Sequence, residues 1–180
     1  MGSGAKKWIV AAILAAAVAL LLLFLFTKGG PKKTHLVSEG DQAPAFRLPA
    51  LDGRQVNLSD FRGKVVMVHF WATWCPPCVE ELPTLDRLYH GLLGKDFALL
   101  AVSVDEGGAE AVRAFLQKNH LSLPVLLDPQ RSVAGQYGTF KFPETYLLDR
   151  NGVVRYKVIG PMDWSDPRGI GVILKMLEQK

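Results

Sequence analysis

Residues 8–26 form an unbroken apolar stretch of Ala, Val, Leu, Ile, Phe and Trp with no charge and no polar face. A helix of this length, at about 1.5 Å rise per residue, approaches the roughly 30 Å of a bilayer core. Trp8 sits at its start, where an interfacial aromatic belongs. A cleaved leader would end its apolar region at a small-residue site. Here the small residues 15–19 lie in the middle, and Leu20 onward continues apolar. The expectation is one retained transmembrane signal-anchor helix at 8–26, with residues 1–7 as a short cytoplasmic tail. Residues 27–38, rich in Gly, Pro and Lys, read as a tether.

Beyond residue 39 the pattern changes to short apolar runs separated by turn signals. Residues 45–51 and 55–58, joined at Asp52-Gly53, predict a β-hairpin. Residues 64–71 are an apolar run but for Lys64 at its start and His69, as in a central strand buried on both faces. Leu82, Leu85, Leu88 and Leu92 set a helical period over 79–92, with Pro83 inside it as an expected kink. A second apolar strand spans 97–104. A central insertion follows, with an amphipathic helix at 108–119, a short strand at 125–128 and a short helix at 130–137. Residues 145–149 and 153–159 flank Arg150-Asn151-Gly152 and predict an antiparallel hairpin, and 170–178 a closing helix. The sum is an α/β domain over 39–180, a mixed β-sheet flanked by helices.

Charge alters this picture little. The chain carries a formal +4 from 21 basic and 17 acidic residues. Lys6, Lys7, Lys28, Lys32 and Lys33 all flank the apolar stretch, and every acidic residue lies at or beyond Glu39. Without those five lysines, 16 basic residues face 17 acidic ones, so the domain is near neutral and shows no basic face for nucleic acid. The lysines lie on both sides of the stretch and do not by themselves orient it.

Chemistry concentrates in Trp71-Ala72-Thr73-Trp74-Cys75-Pro76-Pro77-Cys78, between the buried strand and the first helix. Cys75 falls at the helix N-terminus, where free N–H groups and the dipole favour a thiolate nucleophile. Cys78, one turn further on the same side, can close a Cys75–Cys78 disulfide. Zinc would require about four ligands, and these are the chain's two cysteines. Covalent haem would require His at position 79, which is Val79. A purely structural disulfide stays open as an alternative, but a two-residue gap at a strand–helix junction suits redox work better, so the reading is a redox-active pair with no metal and no small-molecule cofactor.

Further marks are Gly40-Asp41-Gln42-Ala43-Pro44 with Phe46, then Leu58-Ser59-Asp60-Phe61-Arg62-Gly63-Lys64, and then Phe142-Pro143-Glu144-Thr145-Tyr146-Leu147-Leu148-Asp149. With the cysteine motif these make the chain resemble the thioredoxin superfamily, related to the AhpC/TSA redoxins. The closest likeness is to the ResA, TlpA and CcmG group of tethered thiol reductases, from Glu39 to the C-terminus. The resemblance implies a thioredoxin-like fold and a thiol–disulfide oxidoreductase. Its expected role is a reductase of cytochrome c maturation, in which Cys75 attacks and Cys78 resolves. The implied partners are protein disulfides, such as apocytochrome c or a cytochrome assembly factor, and a membrane electron-donor thiol protein. The implied location is the cell membrane, with the domain periplasmic or on the outer face.

Through the same resemblance Pro143 matches the cis-proline that faces the dithiol, and the adjoining Glu144-Thr145, similar to the CcmG-type pattern, favours this over an ordinary strand-start proline. Glu144 belongs to that segment. Glu81 matches an acidic residue that influences thiol ionisation; the alternative is a solvated helix residue. His69 stands where thioredoxins have a buried Asp, and is either a proton acceptor for Cys78 or a hydrogen-bonded core residue. Trp74 is expected on the active-site surface. Three other functions stay open: a disulfide oxidase or isomerase, a thiol peroxidase, and a tethered binding domain with a vestigial site. The second cysteine and the lack of a peroxidase-type Pro before Cys75 weigh against the peroxidase.

Overall fold

Val65–Trp71 (β3) is buried at every position, as is Phe97–Ser103 (β4). Two such runs satisfy their backbone groups only by pairing inside a sheet covered on both faces. They are the centre of the fold. The computed structural model describes residues 8, 12–21, 23 and 36–179.

The domain opens with a small antiparallel pair, Arg47–Pro49 (β1) and Gln55–Asn57 (β2), and a 3-10 turn at Leu58–Phe61. The main sheet adds Val125–Leu127 (β5), Glu144–Leu148 (β6) and Val154–Ile159 (β7), in the order β5-β4-β3-β6-β7. β3, β4 and β5 run parallel, while β6 and β7 are antiparallel additions, so the expected mixed sheet forms.

Helices flank this sheet: Pro76–Gly91 (α1), Gly108–Lys118 (α2), Ser132–Tyr137 (α3) and Pro167–Glu178 (α4). β3 exposes its two faces to different layers. His69 approaches Glu81 of α1, whereas Phe70, one residue on, meets the ring of Tyr137 from α3 at 5.3 Å. α2 and β5 occupy the stretch expected as an insertion, and β5 extends the sheet at its edge.

Helix starts differ from the sequence expectation for a local reason. α1 begins at Pro76 rather than 79, because prolines are tolerated where the helix needs no N–H donor. α4 begins at Pro167, capped by Asp166, whose carboxylate accepts the Arg168 N–H at 2.8 Å. α3 begins at Ser132 because Asp128, buried, accepts the N–H groups of Ser132, Val133 and Ala134 at 2.8–2.9 Å. Pro83 stays inside α1.

The chain divides into residues 1–34 and 35–180. In the first unit Trp8, residues 12–21 and Leu23 are helical, and the rest of the expected 8–26 anchor lies outside the described residues. Among the described residues no helix is long and apolar enough to cross a membrane.

Candidate active site

The buried strand β3 delivers Ala72-Thr73-Trp74 to the top of α1, and the turn is fixed by one carboxylate. Asp105, buried just beyond β4, accepts the Thr73 N–H at 3.1 Å and the Thr73 hydroxyl at 2.5 Å. The Ser103 hydroxyl donates to the same side chain at 2.7 Å. This anchor holds Cys75 in extended backbone at the N-cap of α1, with Pro76 and Pro77 following.

Cys75 and Cys78 are joined as a disulfide with their Cα atoms 5.3 Å apart. The Cys78 N–H donates to Cys75 Sγ at 3.4 Å, the helix-terminal donor expected to favour sulfur charge once the pair is reduced. Cys75 is 5% exposed and Cys78 is fully enclosed, so an incoming sulfur meets Cys75 first. The bond between Phe142 and Pro143 is cis, as expected for Pro143, and the Phe142 carbonyl oxygen lies 3.6 Å from Cys75 Sγ. Trp74 is half exposed, with its ring edge-on to Phe142 at 6.0 Å and the Arg131 guanidinium 5.6 Å from its centre.

Below the dithiol α1 buries Cys78, Glu81, Leu82 and Leu85 on one side, the face dictated by three- and four-residue spacing. Glu81 is therefore not a solvated helix residue. Its carboxylate accepts the Trp164 indole N–H and, at 3.3 Å, the Met162 N–H. Burial pushes its pKa up to about 7, and these two donors pull in the opposite direction without cancelling it.

His69 lies on the same side of the sheet, with Nδ1 at 2.8 Å from the Thr145 hydroxyl and 3.8 Å from Glu81 Oε1. Its Nε2 has no partner among the described residues. Burial drives the imidazole pKa down to about 3, so the ring is neutral at physiological pH.

Glu144 is placed elsewhere. It pairs in register with Phe70, one position from the His69–Thr145 pair, so its side chain projects from the opposite face. There it accepts the Tyr146 hydroxyl at 2.7 Å and holds Lys157 Nζ at 2.9 Å. The structure thus brings together Cys75, Cys78, Pro143 and Trp74 at the surface and Glu81 and His69 beneath, and leaves Glu144 outside that group.

Asp105 and Trp164 are site residues with no mark in the sequence, and Thr145 is marked only as part of the Phe142–Asp149 motif, not as the partner of His69. Their signal is tertiary: Thr145 is 76 residues from His69, and Trp164 is 83 from Glu81.

Comparison with known proteins agrees with this geometry. The AhpC/TSA family profile matches residues 39–157. Thioredoxin-like protein YneN of Bacillus subtilis (strain 168) is 35% identical over 164 residues, covering 87% of this chain and 92% of that protein. Thiol-disulfide oxidoreductase ResA of Geobacillus thermodenitrificans (strain NG80-2) is 38% identical over 130 residues, covering 72% and 74%. Among solved structures, a thiol:disulfide interchange protein DsbE from Chlorobium tepidum aligns with a TM-score of 0.72 and 33% identity, covering 78% of this chain and 99% of that one. StoA from Bacillus subtilis aligns at 0.60 with 27% identity, covering 67% and 91%.

Proposed function

This chain belongs to the AhpC/TSA family and is a thioredoxin-like thiol–disulfide oxidoreductase, and from that premise we propose that it works as a reductase of protein disulfides in cytochrome c maturation, tethered to the cell membrane with its domain on the extracytoplasmic side. One observation carries the direction of the reaction. The ionisable groups packed under α1 are a neutral imidazole and an acid, so neither supplies a positive charge to stabilise a thiolate. Strong oxidants of this type owe their high potential to a stabilised reduced form. A site that offers the helix-terminal donor alone, with no cation beneath it, has less of that stabilisation and favours giving electrons away.

The cycle follows from the geometry. The Cys75 thiolate attacks one sulfur of a substrate disulfide, forming a mixed disulfide and releasing a substrate thiolate. The Cys78 thiol passes its proton to the Glu81 carboxylate, three residues along the same buried helix face. The Cys78 thiolate then attacks Cys75 Sγ, releases the second substrate thiolate and closes the disulfide. Two electrons have moved to the substrate. A membrane thiol protein reduces the pair again by the reverse path, in which protonated Glu81 returns its proton to Cys78. A group near pH 7 serves both directions; His69, held near 3, stays neutral and orients the site through Thr145.

Exposed Trp74 and the Phe142–Pro143 segment offer an extended substrate a ring and backbone groups beside Cys75. Apocytochrome c or a cytochrome assembly factor fits as the protein substrate by resemblance to the ResA, TlpA and CcmG group. In Cys78→Ser the mixed disulfide has no resolving thiol. The full chain carrying this change is expected to accumulate, in cells, a dithiothreitol-sensitive adduct with a haem-binding-motif protein. An absence of any such adduct counts against the reading.

A further inference from the structure

Trp164 is 1% exposed, yet it lies in a turn with three polar residues, Met162-Asp163-Trp164-Ser165-Asp166. Its ring is spent inward. The indole N–H donates to Glu81 Oε1, and the Met162 N–H donates to Oε2 of the same carboxylate. The backbone is tied to α1 as well: the Trp164 N–H donates to the Thr84 hydroxyl at 3.1 Å, and that hydroxyl donates to the Glu81 carbonyl at 2.8 Å.

The turn is built to hold this pose. Asp163 accepts the Ser165 N–H at 2.9 Å and its hydroxyl at 2.5 Å, and Asp166 caps α4. At Gly169 a Cβ would meet the Asp163 carbonyl oxygen and Met162 Sδ at 3.3 Å each, so glycine lets the first turn of α4 close against the loop. Both carboxylate oxygens of Glu81 are thereby fixed by one short segment remote in sequence from the dithiol.

We infer that Trp164 is a positioning residue for thiol–disulfide exchange: its indole N–H holds the Glu81 carboxylate in place beneath the dithiol and supports its charged form in a buried pocket. This rests on the proton-transfer reading of Glu81 given above. Without the indole donor, burial acts on Glu81 with only the Met162 N–H against it, and the charged form becomes harder to reach.

The groups facing Glu81 are accounted for. From β3 comes His69, neutral and 3.8 Å away; from α1 come Cys78 and Thr84; from the loop come the Met162 and Trp164 donors. Asp163 and Asp166 turn their carboxylates to Ser165 and Arg168 instead. The indole is the one side-chain donor hydrogen-bonded to the Glu81 carboxylate among the described residues.

The test uses the oxidised full chain, isotope-labelled and held in mild detergent. In the unaltered protein the Trp164 indole resonance should titrate with the Glu81 side-chain carbon, with one shared midpoint near pH 7. In Glu81→Gln the indole should cease to titrate. Trp164→Phe keeps the ring and removes the donor. Its Glu81 midpoint should rise by about one pH unit, the size expected when a charged acceptor loses a hydrogen bond. The pH dependence of disulfide reduction by the pre-reduced protein should shift upward with it.

An indole that stays fixed while the Glu81 carbon titrates overturns the inference without recourse to any variant. So does a Trp164→Phe profile lowered equally at all pH values, which marks a merely structural role. If Glu81→Gln shifts the rate profile and Trp164→Phe does not, this inference fails alone. If Glu81→Gln leaves the rate profile unchanged, the proton-transfer reading of Glu81 fails as well.

Discussion

Replacing Glu81 with Gln should change how the stability of the oxidised protein depends on pH. In the folded chain burial raises the Glu81 pKa from 4.5 to about 7. Below about pH 4.5 the side chain is protonated in both states and the stability tied to it is fully present. As pH rises toward 7 only the unfolded chain loses its proton, so that stability is lost at about 1.4 kcal/mol per pH unit. Above 7 both states are ionised and the loss levels off at about 3 kcal/mol.

Gln keeps the shape and can still accept the indole N–H, but it does not titrate. Its second position becomes an amide donor against the Met162 N–H, which adds an offset independent of pH. The prediction therefore concerns slope. Urea unfolding of the full chain with its disulfide intact, from pH 4.5 to 8.5, should show wild type falling relative to Glu81→Gln by about 3 kcal/mol. A difference between the two proteins that does not vary with pH refutes the raised pKa and the burial argument behind it.

His69 titrates in the opposite sense. Its folded pKa is depressed from 6.5 to about 3, so the stability it contributes is present above 6.5 and is lost as pH falls toward 3. Between about 4.5 and 6.5 the two slopes oppose each other, and wild type should be nearly flat. His69→Asn should unmask the falling Glu81 slope there, on the order of 1 kcal/mol per pH unit by denaturant unfolding; a variant as flat as wild type contradicts this. Asp105→Ala leaves the Thr73 and Ser103 donors without their buried acceptor. It should cost roughly 2–3 kcal/mol in urea unfolding and slow exchange at Cys75, whereas a loss under about 0.5 kcal/mol would show that the turn holds itself.

What could be read before the structure was what is local. The Cys75–Cys78 pair, the buried 65–71 strand and the proline at 143 each declare themselves within a few residues. The resemblance marks Glu81, and its three-residue step from Cys78 puts it on the same side of the helix, but neither says whether water reaches it. The rest depends on long-range register. Whether Glu144 faces the dithiol turns on a one-residue offset between β3 and β6, and a strand buried at every position carries no alternation that reveals it. Trp164 reads as a stray aromatic in a polar turn until the loop before α4 closes on α1. The start of α4 escapes the apolar period because a proline and a capping aspartate precede it, whereas the Cys75 N-cap of α1 follows from the cysteine motif although its apolar period begins only at 79.

The central claim is direction: electrons leave Cys75 and Cys78 for a protein disulfide. The midpoint potential of this couple in the full chain, equilibrated against glutathione or dithiothreitol buffers, tests that most directly. A value near or below about −230 mV, in the thioredoxin–glutaredoxin range, is the predicted result. A value near about −120 mV, that of a strong oxidant, would contradict it and make the chain a disulfide-introducing enzyme.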